Sequence, residues 1–338
     1  MTTKSKLKRE DLKIDGPIKW CTGCGGYPIL SAIQKALPEV GVEQENIVFV
    51  SGIGCSSRFP YYINTYGFHG LHGRAMPVAT GIKAARPELS VWVATGDGDS
   101  MAIGGNHFIH TIRRNIDINC IIFNNKIYGL TKGQYSPTTP IGMKTKTSPD
   151  GTIEKAFEAG ELTMGAQGTF FARVIDSEPK GMTEVFINAG KHKGTSIIEV
   201  FQNCLIFNDA THDIITAKNV REDRIIYLKH GKPMIFGKEK NKGLVLDGME
   251  IKAVTIGKDG YTIDDILVHD EKTKNPNIHY ILARMHYPEL PVAVGVIRAV
   301  KQATYDEMLQ EQVDNAMKTT KIKNTKDLLH SGKVFDIK

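Results

Sequence analysis

Four of the five cysteines lie in glycine-rich or polar segments where their sulfurs are available for ligation. Cys21 and Cys24 form a Cys-x-x-Cys in Trp20-Cys21-Thr22-Gly23-Cys24-Gly25-Gly26, Cys55 lies in Gly52-Ile53-Gly54-Cys55-Ser56-Ser57, and Cys204 closes Glu199-Val200-Phe201-Gln202-Asn203-Cys204. A Cys-x-x-Cys alone serves a redox dithiol, half a zinc site or half an iron–sulfur site. Structural zinc more often takes two tight pairs, so one pair plus two single cysteines favours a [4Fe–4S] cluster. An odd cysteine count in a cytosolic setting argues against structural disulfides. Cys120 sits inside the apolar run Asn119 to Phe123 and reads as a small core residue.

A second group of residues suits a hard cation and a diphosphate. Gly96-Asp97-Gly98-Asp99 ends an apolar run, placing a carboxylate where glycines let backbone approach a phosphate closely. Gly-Asp-Gly also makes ordinary tight turns. Asn124-Asn125 ends the next apolar run, so a carboxylate and an amide oxygen meet at adjacent strand ends. Mg²⁺ takes few protein ligands and completes its shell with phosphate oxygens, which is the chemistry such a pair could serve. His72 and Arg74 lie in the Gly/His-rich stretch Gly67 to Arg74. His72 is a candidate active-site group; Arg74 is balanced between site and surface. Lys132 follows the Asn-Asn loop and could meet a substrate carboxylate, or simply face solvent.

These residues need a scaffold, and the hydrophobic pattern supplies one. Ile29, Leu30, Ile33 and Leu37 share a helical face between Tyr27 and Leu37, and a second helix covers Ala75 to Ala85 before Pro87. A third runs through about Ile112, and a fourth spans Gly181 to Gly190. Between them, Ile47–Val50, Ser90–Thr95, Asn119–Phe123, Thr169–Ile175 and Ser196–Phe201 read as buried strands. Alternating strands and helices predict an α/β fold with a doubly wound parallel sheet covered on both faces. Such sheets collect ligands at the carboxyl ends of their strands, where the cysteines and Asp97 fall. Beyond Asp209 shorter apolar patches with many Lys and Gly predict hairpins and extended segments. The expected division is a binding domain over 1–209 and a C-terminal arm over 210–338 that wraps a partner or closes the site.

Composition narrows the class of partner. With 41% hydrophobic and 24% charged residues the chain reads as an ordinary globular protein. No apolar stretch approaches the ~18 residues of a membrane span, and Met1 to Glu10 lacks a secretory pattern. A cytoplasmic, membrane-free protein is expected. The net charge of +6 sits largely in tails, at Lys4, Lys6, Lys8 and Arg9 and at Lys318, Lys321, Lys323 and Lys326. No basic helix with interleaved aromatics accompanies it, so nucleic acid is not expected. An acidic electron-transfer protein would suit a mildly basic surface.

The two strand-end motifs resemble the bipartite signature of thiamine-diphosphate enzymes, and the whole constellation resembles the β subunit of the 2-oxoacid:ferredoxin oxidoreductases. The matching segments are Trp20-Cys-Thr-Gly-Cys-Gly-Gly, Gly52-Ile-Gly-Cys-Ser, Leu71-His-Gly-Arg-Ala, Gly96-Asp-Gly-Asp, Asn124-Asn-Lys-Ile-Tyr-Gly-Leu-Thr-Lys-Gly-Gln, Ser136-Pro-Thr and the Cys204 segment. The resemblance implies the diphosphate-binding module of the thiamine-enzyme fold. It implies Mg²⁺ held by Asp97, the Asn125 side chain and the Ile127 carbonyl. Gly98, Asp99, Gly129 and Leu130 would then touch the diphosphate. Ile53, Gly54, Cys55 and Ser56 would line the cofactor, and Cys21, Cys24, Cys55 and Cys204 would bind one [4Fe–4S] cluster.

The Tyr-Gly-Leu-Thr-Lys-Gly-Gln run is similar to the 2-oxoglutarate and broad 2-oxoacid branches. The implied reaction is oxidative decarboxylation of 2-oxoglutarate with coenzyme A to succinyl-CoA and CO₂, or its reverse, with electrons passing to ferredoxin. His72 and Lys132 would be the catalytic candidates. No pyrimidine-binding module is recognisable, so an α subunit is expected, as αβ or (αβ)₂. The rival readings are a broad 2-oxoacid oxidoreductase, a non-oxidative thiamine decarboxylase or ligase, and a non-catalytic iron–sulfur electron-transfer subunit.

Overall fold

The computed structural model describes residues 7–335 and Ile337. Lys4 and Lys6 of the basic amino-terminal tail lie outside them. The first half alternates helix and strand in chain order: α1 (Gly26–Val40), β1 (Ile47–Ser51), β2 (Tyr66–His69), α2 (Ala75–Ala85), β3 (Ser90–Gly96), α3 (Gly105–Arg114) and β4 (Ile118–Asn124). After a long loop come α4 (Ala159–Gly165), β5 (Phe170–Ile175), α5 (Pro179–Lys191) and β6 (Ser196–Phe201). Proline opens α5 at a position where its missing N–H costs nothing. Gly41, at φ 86°, ends α1 in the left-handed conformation that glycine adopts freely.

These six strands are mutually parallel, in spatial order β2-β1-β3-β4-β6-β5. The chain leaves β1 toward β2 on one side and then returns to build β3 and β4 on the other. The carboxyl ends of β1 and β3 therefore flank the reversal point, where open α/β sheets form their binding crevice.

Two cores cover the sheet, and strand alternation feeds both. Val91 and Val93 of β3 pack with Ala75, Met76, Ala79, Phe108 and Ile112 of α2 and α3. Trp92 and Ala94 point the other way, into Ile29, Ile33, Leu37, Met182, Val185 and Phe186 of α1 and α5. Each such fully buried large side chain contributes roughly 1.5–3 kcal/mol by leaving water. Cys120 is buried in the first of these cores, as its place in an apolar run predicts.

The segment expected as a C-terminal arm differs in one respect. After two short helices, α6 (Asp213–Thr216) and α7 (Arg221–Arg224), it supplies β7 (Ile225–Tyr227), and later β11 (Val292–Ala299), to the central sheet. β11 runs antiparallel to β5, and β7 pairs parallel with β11, so the sheet continues across residue 209 to eight strands. The hairpin texture read from Lys238 to Gly248 is present as β8 (Ile235–Phe236), β9 (Lys242–Asp247) and β10 (Glu250–Thr255), a separate antiparallel sheet. α8 (Asn277–Ala283) packs on β11, and α9 (Tyr305–Thr319) and α10 (Thr325–Leu329) end the chain. Among the described residues no helix is long and apolar enough to cross a membrane.

Candidate functional site

Asp97 emerges from β3 into a buried position, 3% exposed, and its Oδ2 accepts hydrogen bonds from Ser136 Oγ and Thr138 Oγ1, each at 2.5 Å. Burial pushes its carboxyl above the usual range, against the pull of the two hydroxyls. A carboxyl so placed is either protonated or compensated by a cation. At the end of β4, Asn125 donates from Nδ2 to Gln202 Oε1 at 3.0 Å, while its Oδ1 accepts from Ile127 N at 3.3 Å. Lys126, at φ 56°, makes the tight bend that curls 125–127 back on itself. Asp97, Asn125 and Ile127 all line one cleft. A carboxylate, an amide oxygen and a peptide carbonyl form the all-oxygen donor set of Mg²⁺, so these residues fit that ion.

The same cleft is lined by Ile53, Gly54, Cys55 and Ser56 after β1, and by Gly129 and Leu130 beyond the curl. Ser56 Oγ is buried without a hydrogen-bond partner among the described residues, a polar atom left for a ligand to satisfy. A side chain at Gly98 would have to displace its neighbour. A Cβ would come within 2.2 Å of the Tyr128 ring, whose hydroxyl donates to the Gly98 carbonyl at 3.2 Å. Burial, followed by the charges of Asp97 and Asp99, pushes the Tyr128 phenol up to about 12, so it remains a donor at neutral pH.

Asp99, which the resemblance suggests as a diphosphate contact, lines the cleft. Both of its oxygens accept from the protein: Thr95 Oγ1 at 2.8 Å, Ile53 N at 3.1 Å, Gly73 N at 2.7 Å and His72 Nδ1 at 2.7 Å. His72 lines the cleft beside it. Lys132 is exposed, with its backbone at φ 75°, one residue past the cleft-lining Thr131. Arg74 turns away, donating to the carbonyls of Gly73 and Ile103.

Of the four cysteines Cys55 lines the cleft, Cys24 lines a neighbouring pocket, and Cys21, Cys24 and Cys204 lie close enough for their charges to act on Cys55; none is disulfide-bonded. A Cβ on Gly129 would lie 3.5 Å from Cys204 Sγ and 3.7 Å from Cys55 Sγ, so these two thiols flank that glycine. Burial, and then the neighbouring charges of Cys24, Cys204 and Cys21, push the Cys55 thiol up to about 11. Cys24 is raised for the same reasons, although the Gly26 amide donates to its sulfur. Raised in this way, the Cys24 and Cys55 thiols stay protonated unless a cationic centre takes the charge of their thiolates. Among the described residues no group of three or more His, Cys, Asp or Glu is arranged to hold a metal ion. An all-thiol donor set is the chemistry of a [4Fe–4S] cluster and equally of a four-cysteine zinc site.

Several participants carried no distinct signal in the sequence. Ser136 and Thr138 were visible only as part of a motif; their hydroxyls reach Asp97 because the loop after β4 folds back. Thr138 Oγ1 also lies 3.1 Å from Asn124 Oδ1, and Asn124 donates from Nδ2 to Glu199 at 2.8 Å. Glu199 is fully buried and paired with Arg173 at 2.7 Å; burial raises its carboxyl, but Arg173 more than offsets this and the net shift is downward. His212 Nε2 donates to the Asn124 carbonyl at 2.9 Å and its ring stacks on Phe201; burial lowers it to about 4 and keeps it neutral. Polar groups thus brace both strand ends from behind.

Comparison with known proteins agrees with this architecture. The thiamine pyrophosphate enzyme, C-terminal TPP binding domain family matches residues 52–200, from just after β1 into β6. The chain is 46% identical over 313 residues to the 2-oxoglutarate oxidoreductase subunit KorB of Mycobacterium tuberculosis, covering 92% of this chain and 83% of that one. It is 42% identical over 218 residues to the 2-oxoacid:ferredoxin oxidoreductase 2 subunit beta of Aeropyrum pernix, covering 64% and 69%. The 2-oxoglutarate:ferredoxin oxidoreductase from Magnetococcus marinus, solved with 2-oxoglutarate, coenzyme A and succinyl-CoA bound, superimposes with a TM-score of 0.77 at 30% identity over 97% of each chain.

Proposed function

The chain belongs to the β-subunit family of the 2-oxoacid:ferredoxin oxidoreductases, and we propose that it forms the diphosphate-binding half of such an enzyme acting on 2-oxoglutarate, with coenzyme A as acyl acceptor and ferredoxin as electron partner. The observation that carries this reading is one cleft lined by Asp97, Asn125, Ile127 and Cys55, with the sulfurs of Cys55 and Cys204 both beside Gly129. Oxidative decarboxylation needs a cofactor that holds a carbanion and an electron acceptor beside it, and the presence of Cys55 in the same cleft as Asp97 and Asn125 supports that pairing. Bound thiamine diphosphate supplies the carbanion chemistry. In this reading Asp97, Asn125 and the Ile127 carbonyl hold Mg²⁺ against its diphosphate, and Cys21, Cys24, Cys55 and Cys204 hold a [4Fe–4S] cluster. Gly98 lets the backbone come close, Ser56 Oγ offers a polar contact, and the aliphatic Ile53 and Leu130 exclude water.

An α subunit completes the site. The cleft here has a volume of about 180 Å³, below the ~300–1,000 Å³ of pockets that bury a ligand of this size. Tyr61, Tyr66, Phe68, Leu71 and Ile103 are exposed, Leu71 next in sequence to the cleft-lining His72, and β2 is an uncovered edge strand. Clustered apolar groups at an open cleft favour a protein cover. Lys132, beside the cleft, is the candidate contact for the second carboxylate of 2-oxoglutarate, because a dicarboxylate leaving water needs a matching charge.

The test is co-expression with the α subunit, anaerobic purification, and turnover with 2-oxoglutarate and with pyruvate. The reading expects succinyl-CoA formation and ferredoxin reduction by the complex, with none by this chain alone. Turnover by the isolated chain removes the α subunit from the reading, and a preference for pyruvate removes 2-oxoglutarate. Loss of that preference in Lys132→Ala, against an equal loss with both substrates, decides the role of Lys132.

A further inference from the structure

We propose that Asp99 is a positioning residue for His72, and that His72 is a catalytic residue presenting Nε2 to the reactants in the cleft. This rests on the functional reading above and assigns roles within it. A carboxylate can only accept hydrogen bonds, so at 2.7 Å the His72 ring donates from Nδ1 to Asp99 Oδ1. In the neutral ring that leaves the lone pair on Nε2, free to accept from an O–H or S–H group of a bound reactant.

The carboxylate is built in. Oδ1 also accepts from the amides of Ile53 and Gly73, and Oδ2 from Thr95 Oγ1. These donors come from three segments: the loop after β1, the turn before α2, and β3 itself. A Cβ on Gly52 would lie 2.1 Å from Oδ2 and 2.6 Å from Oδ1, so only glycine lets the backbone pack against the carboxylate. Asp99 is 2% exposed, while the His72 side chain is 37% exposed and lines the cleft, its ring edge-on to Tyr128 at 6.0 Å. One residue is sealed and saturated, and the other faces the reactants. An anion with its accepting capacity engaged by the protein is poorly suited to touch a diphosphate, and well suited to fix the angle and tautomer of a neighbouring imidazole.

The test uses the complex with its α subunit and three variants. His72→Asn keeps a donor for Asp99 and deletes Nε2. Its kcat should fall ~100-fold, the usual scale for losing an acid–base group, with KM and the Kd of thiamine diphosphate unchanged within about twofold. Asp99→Asn can keep Oδ1 toward Ile53, Gly73 and His72, with its amide donating to Thr95 Oγ1, which still reaches the Gly96 carbonyl at 3.3 Å. It should retain kcat within about fivefold, the rescue expected of a positioning group. Asp99→Ala frees the ring and should fall to the level of His72→Asn, and combining the two should cost nothing further.

A tenfold or greater loss of cofactor affinity in Asp99→Asn would return Asp99 to the diphosphate and overturn the proposal. A double variant far below His72→Asn would make Asp99 a structural brace instead, and wild-type kcat in His72→Asn overturns the proposal by itself even if Asp99→Ala does not fold. Wild-type complex inactive with every 2-oxoacid overturns the functional reading and this assignment together; an active wild type with indifferent variants overturns only the assignment.

Discussion

Gln202 joins the two halves of the site: its Oε1 accepts from Asn125 Nδ2 at 3.0 Å, and its own amide reaches Cys24 Sγ at 3.6 Å. One buried side chain therefore touches both the residue proposed for Mg²⁺ and a cysteine proposed for the cluster.

That bridge predicts a coupled defect. Gln202→Ala leaves the Asn125 amide buried without its acceptor, an omission of about 1–2 kcal/mol. Mg²⁺-dependent thiamine diphosphate binding should weaken roughly tenfold, and iron content should also fall. Titration of the cofactor beside iron and sulfide analysis of the same preparation checks both. A variant normal on both counts would show that the bridge does not hold the site together.

Gly98 is required by its neighbour and not by its own backbone, which sits at an ordinary φ of −67°. Gly98→Ala should cost about 1–3 kcal/mol of stability, because the Tyr128 ring occupies the position of the new Cβ. In a Tyr128→Ala background the same substitution should cost under about 0.5 kcal/mol. Denaturant melts of the four members of this cycle decide it, and equal costs in both backgrounds would place the constraint elsewhere.

Much of the frame was legible because burial on two faces leaves a plain trace. The run Val91-Trp92-Val93-Ala94 has no room for a polar face, and Ala75 to Ala85 closes before Pro87, so strand and helix were readable from local pattern. β11 was not, because its pairing partner β5 lies far back in the chain. Its run is also broken by Gly295, at φ 110°, where a Cβ would come within 2.9 Å of the Leu228 carbonyl. The residues of the site were legible as types, but their bonds were not. Whether Asp99 meets a ligand or His72 depends on how two separate loops fold over the end of β3. The hydroxyls of Ser136 and Thr138 likewise gain meaning only when their loop returns to Asp97.

Acid should destabilise the fold through histidines buried as neutral rings. His212, His192 and His279 are each lowered to about 4, chiefly by burial. The unfolded chain takes up their protons near its ordinary value of about 6.5, before the folded chain does. Their stabilising effect is therefore complete above about 6.5 and is lost as the pH falls toward 4. For His212 alone the slope in that window approaches ~1.4 kcal/mol per pH unit. His212→Asn should be less stable at pH 7, having lost the stacking on Phe201, yet its stability should fall less steeply between pH 6.5 and 4. Urea melts across that range check the slope; parallel lines for the two proteins would mean that His212 does not titrate on unfolding.

The cysteines separate ligand from core most directly. Cys204 and Cys55 both place their sulfurs beside Gly129, whereas Cys120 of β4 is fully buried in the core shared with α2 and α3. Cys204→Ala removes a thiol from the proposed ligand set and should strip most of the iron and sulfide, along with the visible absorption that bleaches on reduction. Its effect on thermal stability in the metal-free protein should be small, because the residue is only partly buried. Cys120→Ala should do the reverse. It removes a small apolar side chain from a close-packed core, at about 1 kcal/mol, while iron and sulfide remain at wild-type levels. Iron loss in Cys120→Ala with an intact fold would move the ligand set. Zinc bound without sulfide in the wild-type protein would replace the cluster with a single ion and remove the electron acceptor from the cleft.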